Sequence, residues 1–429
     1  MNMYLRAGRL VDPFKKTDGE FDIVIRNGRI ESIIPYDPRA ELPLEMKVFD
    51  LTGKIVTPGL MDMHTHLREP GEEYKETIAT GCLAAVAGGF TKIACMPNTQ
   101  PVNDNKSITE YILGKAKEAG LAKVYPVGAI SKGLKGESLA EFGELKSAGI
   151  VAVSDDGHPV MNGELMRRAL EYAKNFDLPV ISHCEDLQLR CGGVMNEGAV
   201  STRLGLPGIP AVAEEAMIFR EIKLAELTGT PVHIAHVSAR GSVHLIREAK
   251  AGGIPVTAET APHYFSLTEG AVTGYETNAK INPPLRTALD VEAVIKGLAD
   301  GTIDAIASDH APHSVLEKDV EFAMAANGII GLETALPLTL ALVRKGHLSL
   351  MEAIAKLSSN PSRILGLANA SIKIGEAADL TIIDPDKGFK VDPDSFKSLS
   401  KNSPFIGWEL RGKAIMTIID GRIVYSDPD

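Results

Sequence analysis

Between residues 58 and 310 the chain repeats one pattern: a short apolar, β-branched run, then polar or Gly/Pro residues, then a stretch with apolar residues at helical spacing. Eight runs of this kind occur: GLMDMH, FTKIACM, KVYPVGAI, GIVAVS, LPVISH, PVHIAHV, IPVTAE and TIDAIAS. Segments between them, such as YKETIATGCLAAVAGG and MRRALEYAKNFD, place apolar residues as amphipathic helices do. Alternation of strand and helix implies parallel pairing through right-handed crossovers. Eight units over about 250 residues predict an α/β fold, a (β/α)8 barrel of the TIM type. An open doubly wound sheet would carry a Gly-rich phosphate turn after its first strand, and none follows GLMDMH.

The flanks read differently. MYLRAGRLVD, FDIVIRNGRIESIIP and MKVFDLTGK near the start, and SIKIGEAADLTIID and AIMTIIDGRIVYSD near the end, are short alternating runs with turns. Asn27-Gly28 and Asp420-Gly421 are hairpin signals. Neither flank is long enough to build a sheet core alone. The expected division is therefore a small β-sandwich-like domain composed of 1–54 and 366–429, and a barrel spanning 55–365.

Composition narrows the partners. The 429 residues carry a net charge of −11 without an acidic tail, which argues against nucleic acid or an anionic membrane surface. A small anionic molecule remains admissible if local cations receive it. The longest apolar stretch, GIIGLETALPLTLALV, is interrupted by Glu333 and Pro337 and predicts a buried helix rather than a membrane span. MNMYLRAGRLVD lacks a signal-peptide core, and Cys82, Cys95, Cys184 and Cys191 form no CxxC pair. They read as small core residues of a cytoplasmic protein.

In a barrel of this type the active site lies at the C-terminal ends of the strands. The first run ends in DMHTH with His64 and His66, the fourth in SDDG, the fifth in SHCED with His183, the sixth in HIAHVS with His236, and the eighth in SDHAPH with Asp309. Each alone has an ordinary reading: Asp-Gly is a turn dipeptide, and a lone histidine is usually a satisfied core residue. Residues i and i+2 of a strand share a face, so His64 and His66 project together. By the same register His233, three before His236, lies on the opposite face, which argues against direct ligation, while His158 is close enough to SDDG for a supporting role. Buried imidazoles and carboxylates without partners cost several kcal/mol each, on the order of a lost hydrogen bond or more. A divalent cation removes that cost, and imidazole with carboxylate suits zinc, with manganese or cobalt as substitutes. Four histidines and two carboxylates are too many for one tetrahedral ion and suit two ions about 3.5–4 Å apart sharing a bridge.

The elements VTPGLMDMHTHLREPG, CMPNT, SDDG, HCED, HIAHVS, NPPLR and SDHAPH follow in the order seen in the amidohydrolase superfamily. More narrowly, the chain resembles the dihydroorotases of the bacterial long-chain (class I) type, over essentially its whole length. The resemblance implies two Zn2+ per subunit held by His64, His66, Asp156, His183, His236 and Asp309. It implies reversible cyclisation of N-carbamoyl-L-aspartate to L-dihydroorotate in pyrimidine (UMP) synthesis, by a metal-bridging hydroxide with Asp309 as general acid and base. It implies substrate contacts from His66, Arg68, Asn98, Asn282, His313, Asn327 and Gly328. Arg68 offers a planar fork for a carboxylate and, two past His66, falls on the ligand face if the strand continues. MAANGIIG departs from the proline or phenylalanine that often precedes the glycine of this loop, at Asn327. A homo-oligomer is expected, and association with aspartate transcarbamoylase stays open.

Two alternatives are kept. Hydantoinase, dihydropyrimidinase and allantoinase are cyclic-amide hydrolases of the same superfamily, and they usually bridge their metals with a carboxylated lysine at the end of strand four. Here Lys146 precedes that strand, leaving Asp156 as the bridge and Asp155 to hydrogen-bond in the turn. A non-catalytic scaffold for aspartate transcarbamoylase is the other alternative; such relatives lose metal ligands, and here all six are present.

Overall fold

A computed structural model describes residues 2–368 and 370–427. Five strands open the chain: β1 (Met3–Asp12), β2 (Thr17–Arg26), β3 (Arg29–Pro35), β4 (Lys47–Asp50) and β5 (Ile55–Pro58). The barrel strands are β6 (Leu60–Thr65), β7 (Phe90–Cys95), β8 (Lys123–Gly128), β9 (Ala152–Ser154) and β10 (Val180–Ser182). A small pair, β11 (Met195–Asn196) and β12 (Gly208–Ile209), interrupts before β13 (Val232–Ile234), β14 (Val256–Thr260) and β15 (Ala305–Ile306) complete them. The last strands are β16 (Leu380–Lys390), β17 (Glu409–Ile419) and β18 (Arg422–Ser426).

Each of the eight predicted runs forms a strand of one parallel sheet, ordered β15-β14-β13-β10-β9-β8-β7-β6. The ring is brought round by a parallel bridge between Thr65 and His310, where the His66 N–H donates to the His310 carbonyl at 2.8 Å. Met61, Met63, Ala94, Val127, Ala152, Ile181, Ala235 and Ala305, taken from strand after strand, pack into one cluster. Small side chains alternate there with methionines, which fill irregular space. A larger apolar cluster lies between the strands and the helices that cover them. The stretch GIIGLETALPLTLALV contributes the buried helix Ala335–Arg344.

Strands from both ends of the chain share a second sheet, ordered β18-β17-β16-β5-β1-β2-β3, with β4 on β1. Asn27-Gly28 and Asp420-Gly421 are its two-residue hairpin turns, all four residues at positive φ as such turns require. β5, on the barrel side of the expected division, pairs with β1 and β16 in this sheet. Residues 391–408, on the other side, return to the barrel: the Leu399 N–H donates to Glu76 and that of Lys397 to Glu333. Cys191 departs from the expectation of four core cysteines. It is exposed, ending the short helix Leu187–Arg190 at φ 44, where a chain reversal keeps it at the surface.

The sheet docks on the barrel through Thr381, whose hydroxyl donates to the Gly89 carbonyl at 2.6 Å. Gly89 has φ +91, and a Cβ there would lie 2.7 Å from Thr381 Cγ2 and 3.0 Å from Ala414 Cβ. Gly89→Ala is expected to cost about 2 kcal/mol or more, from left-handed backbone and overpacking together. A lowered denaturation midpoint measures it.

Candidate metal centre

Every predicted ligand lies at or just past the end of a barrel strand: His64 on β6 and His66 directly after it, Asp156 after β9, His183 after β10, His236 after β13 and Asp309 after β15. All six are buried. Their donor atoms form two groups that share one carboxylate: His64, His66 and Asp156, and Asp156, His183 and His236. Asp156 Oδ1 lies 3.4 Å from His64 Nε2, 3.5 Å from His183 Nδ1 and 3.4 Å from His236 Nε2, while its Oδ2 lies 3.4 Å from His66 Nε2. Asp309 stands beside the first group, its Oδ1 3.2 Å from His66 Nε2 and 3.6 Å from His64 Nε2.

Outside the ring, other side chains set which nitrogen faces inward. His64 Nδ1 meets Glu259 Oε1 at 2.6 Å, and His66 Nδ1 meets Asn98 Oδ1 at 2.9 Å. With Nδ1–H donated outward, both Nε2 lone pairs turn toward Asp156, as ligation requires. His64 Nε2 and Asp156 Oδ1 are buried without a hydrogen-bond partner. An imidazole–carboxylate set with unsatisfied inward atoms fits a divalent cation.

The electrostatics follow from this crowding. Burial opposes the ionisation of Asp156, but the surrounding imidazoles outweigh it and hold the carboxyl well below its usual range. Burial likewise opposes a charged His64, yet Asp156 and Glu259 raise it well above the ordinary value. His183 is raised to about 9 against burial, by Asp156 and Glu185. Asp309 is held at about 2 against burial, by His66, His64 and His236.

One cavity of about 260 Å³ gathers the predicted substrate residues His66, Arg68, Asn98, Asn282, His313, Asn327 and Gly328, with Asp156, His183, His236 and Asp309 in its floor. His64 lies beneath, without lining it. A cavity of about 500 Å³ against the terminal sheet is roomier but holds no imidazole. Arg68 reaches the site by another route than strand register: β6 has ended, and Arg68 adopts φ +61. Its Nε donates to the Pro312 carbonyl at 3.1 Å and Nη2 lies 3.2 Å from His313 Nε2. Asn282 Nδ2 donates to Glu185 at 3.1 Å. Gly328 is where a Cβ would come 2.6 Å from the Ala311 carbonyl oxygen, so only glycine lets the loop close on His313. His236 and Asp309 share Arg68's left-handed backbone, at φ 35 and 48, a strained conformation for residues with side chains.

Several expectations need correction. His233 stays outside both donor groups, as its register predicts, but it does not face away from the site. β13 ends at Ile234 and His236 turns to positive φ, so strand parity does not carry across. His233 Nε2 is 3.4 Å from Glu259 Oε2, which makes His233 the support of the residue that supports His64. Asp155 reaches past its own turn: its carboxylate accepts from the N–H groups of Ile130 and Ser131, at 2.7 and 3.0 Å, and from the Ser131 hydroxyl. His158 is exposed, lining a separate cavity at the rim beside Arg68 and Asn98.

Residues beyond the predicted set also matter. Asp62 accepts from the N–H of His64 at 3.0 Å and of Ser308 at 3.0 Å, tying the first strand to the eighth. Asn402 donates to the carbonyls of Ala311 and Gly328 and accepts from the His313 N–H. Arg190 adds a second cation to the cavity. For Glu259 a signal existed, since IPVTAE ends on it at a strand end; for Asn402 none did.

A barrel with histidines and carboxylates converging at its strand ends defines the amidohydrolase class. Residues 285–425 match the profile described as the amidohydrolase family, and residues 53–242 match the profile described as dihydro-orotase-like. Proteins named dihydroorotase are 55% identical in Syntrophus aciditrophicus (100% of each chain), 57% in Geobacter metallireducens (99% of this chain, 100% of the relative) and 58% in Syntrophotalea carbinolica (99% of each). The chain belongs to the dihydroorotase family. Among solved structures it is similar to an L-hydantoinase (dihydropyrimidinase) from Arthrobacter aurescens, at 26% identity and TM-score 0.87 over 100% of this chain and 97% of that one. A dihydropyrimidinase from Brevibacillus agri, at 23% identity and TM-score 0.83 over 99% and 95%, shares the fold.

Glu259→Leu is expected to weaken metal binding by about 10- to 100-fold, the usual cost of losing a carboxylate behind a ligating histidine. Metal titration against a competing chelator measures it. Metal binds neutral imidazole and so displaces protons. Because His183 is protonated below about 9, apparent affinity should fall as pH drops through that value, with protons released on uptake. Calorimetry in buffers of different ionisation enthalpy reads the release.

Proposed function

We propose that this protein catalyses the dihydroorotase reaction, adding water across the ring amide of L-dihydroorotate to give N-carbamoyl-L-aspartate, and the reverse. The observation that carries the reading is the pair of donor groups sharing Asp156 beneath a cavity lined by Arg68, Asn98 and His313. The identity of 55–58% to proteins named dihydroorotase, over essentially full length, supports it.

His64, His66 and Asp309 would hold one divalent cation and His183 and His236 the other, with Asp156 between them. When bound, two such ions, zinc by the donor set or manganese or cobalt in its place, supply Lewis acidity at the ring carbonyl and lower the pKa of bound water to about 7. Asp309, ionised by its imidazole neighbours, accepts the proton of the attacking water and delivers it to the ring nitrogen as the C–N bond breaks. In the cyclising direction it takes the ureido N–H proton and returns it to the departing oxygen. Arg68 and Asn98 receive the substrate carboxylate that does not react, with Asn282, His313 and the Asn327–Gly328 turn around the ring. Burial and the Arg68 guanidinium keep His313 neutral, its pKa lowered to about 2.

The hydantoinase reading draws on the solved neighbours, which share the fold. Its carboxylated-lysine bridge has no counterpart at strand four: Lys146 lies in the helix Phe142–Ala148, before β9, and Asp156 occupies the far end. The scaffold reading would suit a broken donor set. We also assign a homo-oligomeric, cytoplasmic enzyme. Among the described residues no helix is long and apolar enough to cross a membrane.

Metal content combined with a ring-opening assay tests the reading. Bound metal and dihydroorotate turnover are expected. Turnover of hydantoin or allantoin with none of dihydroorotate would overturn it, as would absent metal with no activity on adding it. Asp309→Asn should fold and retain metal while losing turnover by about 100-fold or more, the range for a general acid–base.

A further inference from the structure

Two buried lysines take no part in the chemistry above. Lys318 closes the short helix Val315–Lys318, and its ammonium donates to the carbonyls of Thr277 at 3.0 Å, Lys280 at 3.2 Å and Ala326 at 2.7 Å. That uses all three of its donors. Lys280 donates to the carbonyls of Phe322 at 2.8 Å and Ala323 at 2.9 Å, and its ammonium lies 5.4 Å from the centre of the Phe322 ring. Their residues are only 5% and 4% exposed. Neither ammonium forms an ion pair among the described residues. The two carboxylates whose charge bears on Lys318 are engaged elsewhere, Glu317 by Lys75 at 2.9 Å and Glu276 by the Asn278 N–H at 2.9 Å.

A buried cation without a counter-ion is costly, and it persists where neutral acceptors take up its donors, three carbonyls for Lys318 and two for Lys280 beside the Phe322 ring. Here the acceptors come from two segments on either side of the candidate site. One runs through Thr277 and Lys280 toward Asn282; the other runs from Phe322 through Ala326 to Asn327 and Gly328. Lys280 joins them again through its backbone, accepting from the Gly328 N–H at 3.0 Å. Residues 319–328 hold no regular strand or helix, so these bonds stand where a ladder would otherwise fix the chain.

We infer that Lys318 and Lys280 are positioning residues that clamp the Asn327–Gly328 turn against the Asn282 segment and so set the width of the substrate cavity. The inference rests on the proposed reading of that cavity as the substrate site. Neither lysine touches substrate, and each acts through carbonyls of the loop it holds. Losing the clamp removes binding common to ground state and transition state, which raises KM more than it lowers kcat.

The test is Lys318→Met in the full-length metal-loaded protein, with Lys280→Met as the milder second variant should the first not fold. Methionine keeps the apolar stem and removes the donors. The expected result is a KM for dihydroorotate raised about tenfold with kcat within about threefold, a split that general destabilisation would not produce. Hydrogen exchange in residues 319–328 should quicken while barrel strands keep wild-type protection. Unchanged KM and unchanged exchange in a folded variant would overturn the clamp. If the wild-type protein turned over no dihydroorotate, the function reading would fail, and exchange alone would decide the clamp, faster in the loop supporting it and unchanged overturning it.

Discussion

A carboxylate buried among four imidazoles is the constraint on which the rest of this molecule depends. Asp156 lies within 3.5 Å of ring nitrogens from His64, His66, His183 and His236, which arrive from three strand ends, its own being a fourth. So much polar surface is tolerable inside a barrel only if every atom is hydrogen-bonded, ionised against a partner or given to a metal. The barrel supplies the means, because its strands all end at one mouth. Strained backbone at His236, Asp309 and Arg68 is the cost of aiming those side chains, and it is held by the packed layers beneath.

Around that constraint the protein is layered by reach. Glu259 and Asn98 orient the imidazoles of the first strand, and His233 braces Glu259 from below. Asp62 ties the first strand to the eighth just under the site. Farther out, Asn402 from the C-terminal part of the chain and the buried lysines 280 and 318 stitch loops that carry no ladder of their own. The terminal sheet contributes through its docking and the 391–408 segment rather than through strands at the site.

Much of the site was legible because its signal is local. Strand-end position and donor chemistry fall within a few residues of each other in DMHTH, SDDG, SHCED and SDHAPH, so His64, His66, Asp156, His183 and Asp309 stood out without tertiary information. His233 shows where local reasoning fails. Parity holds only while the strand lasts, and β13 stops before His236. Arg68 shows the same failure with the opposite outcome, reaching the site through a left-handed turn after its strand has ended.

By itself the sequence determined the alternation of strand and helix, the hairpin turns at Asn27-Gly28 and Asp420-Gly421, and the strand ends that bear imidazoles and carboxylates. These follow from apolar periodicity and turn chemistry, which act over a few residues. Only the tertiary structure decided that Glu259 orients His64 across 195 residues, that Asp155 holds a neighbouring loop, that Asn402 joins the mouth, and that two lysines clamp it. Such contacts depend on which segments the closed ring brings face to face, and no short window of sequence carries that information. SDDG illustrates both halves: its Asp-Gly turn is local, while the sharing of Asp156 between two donor groups exists only once four strands converge.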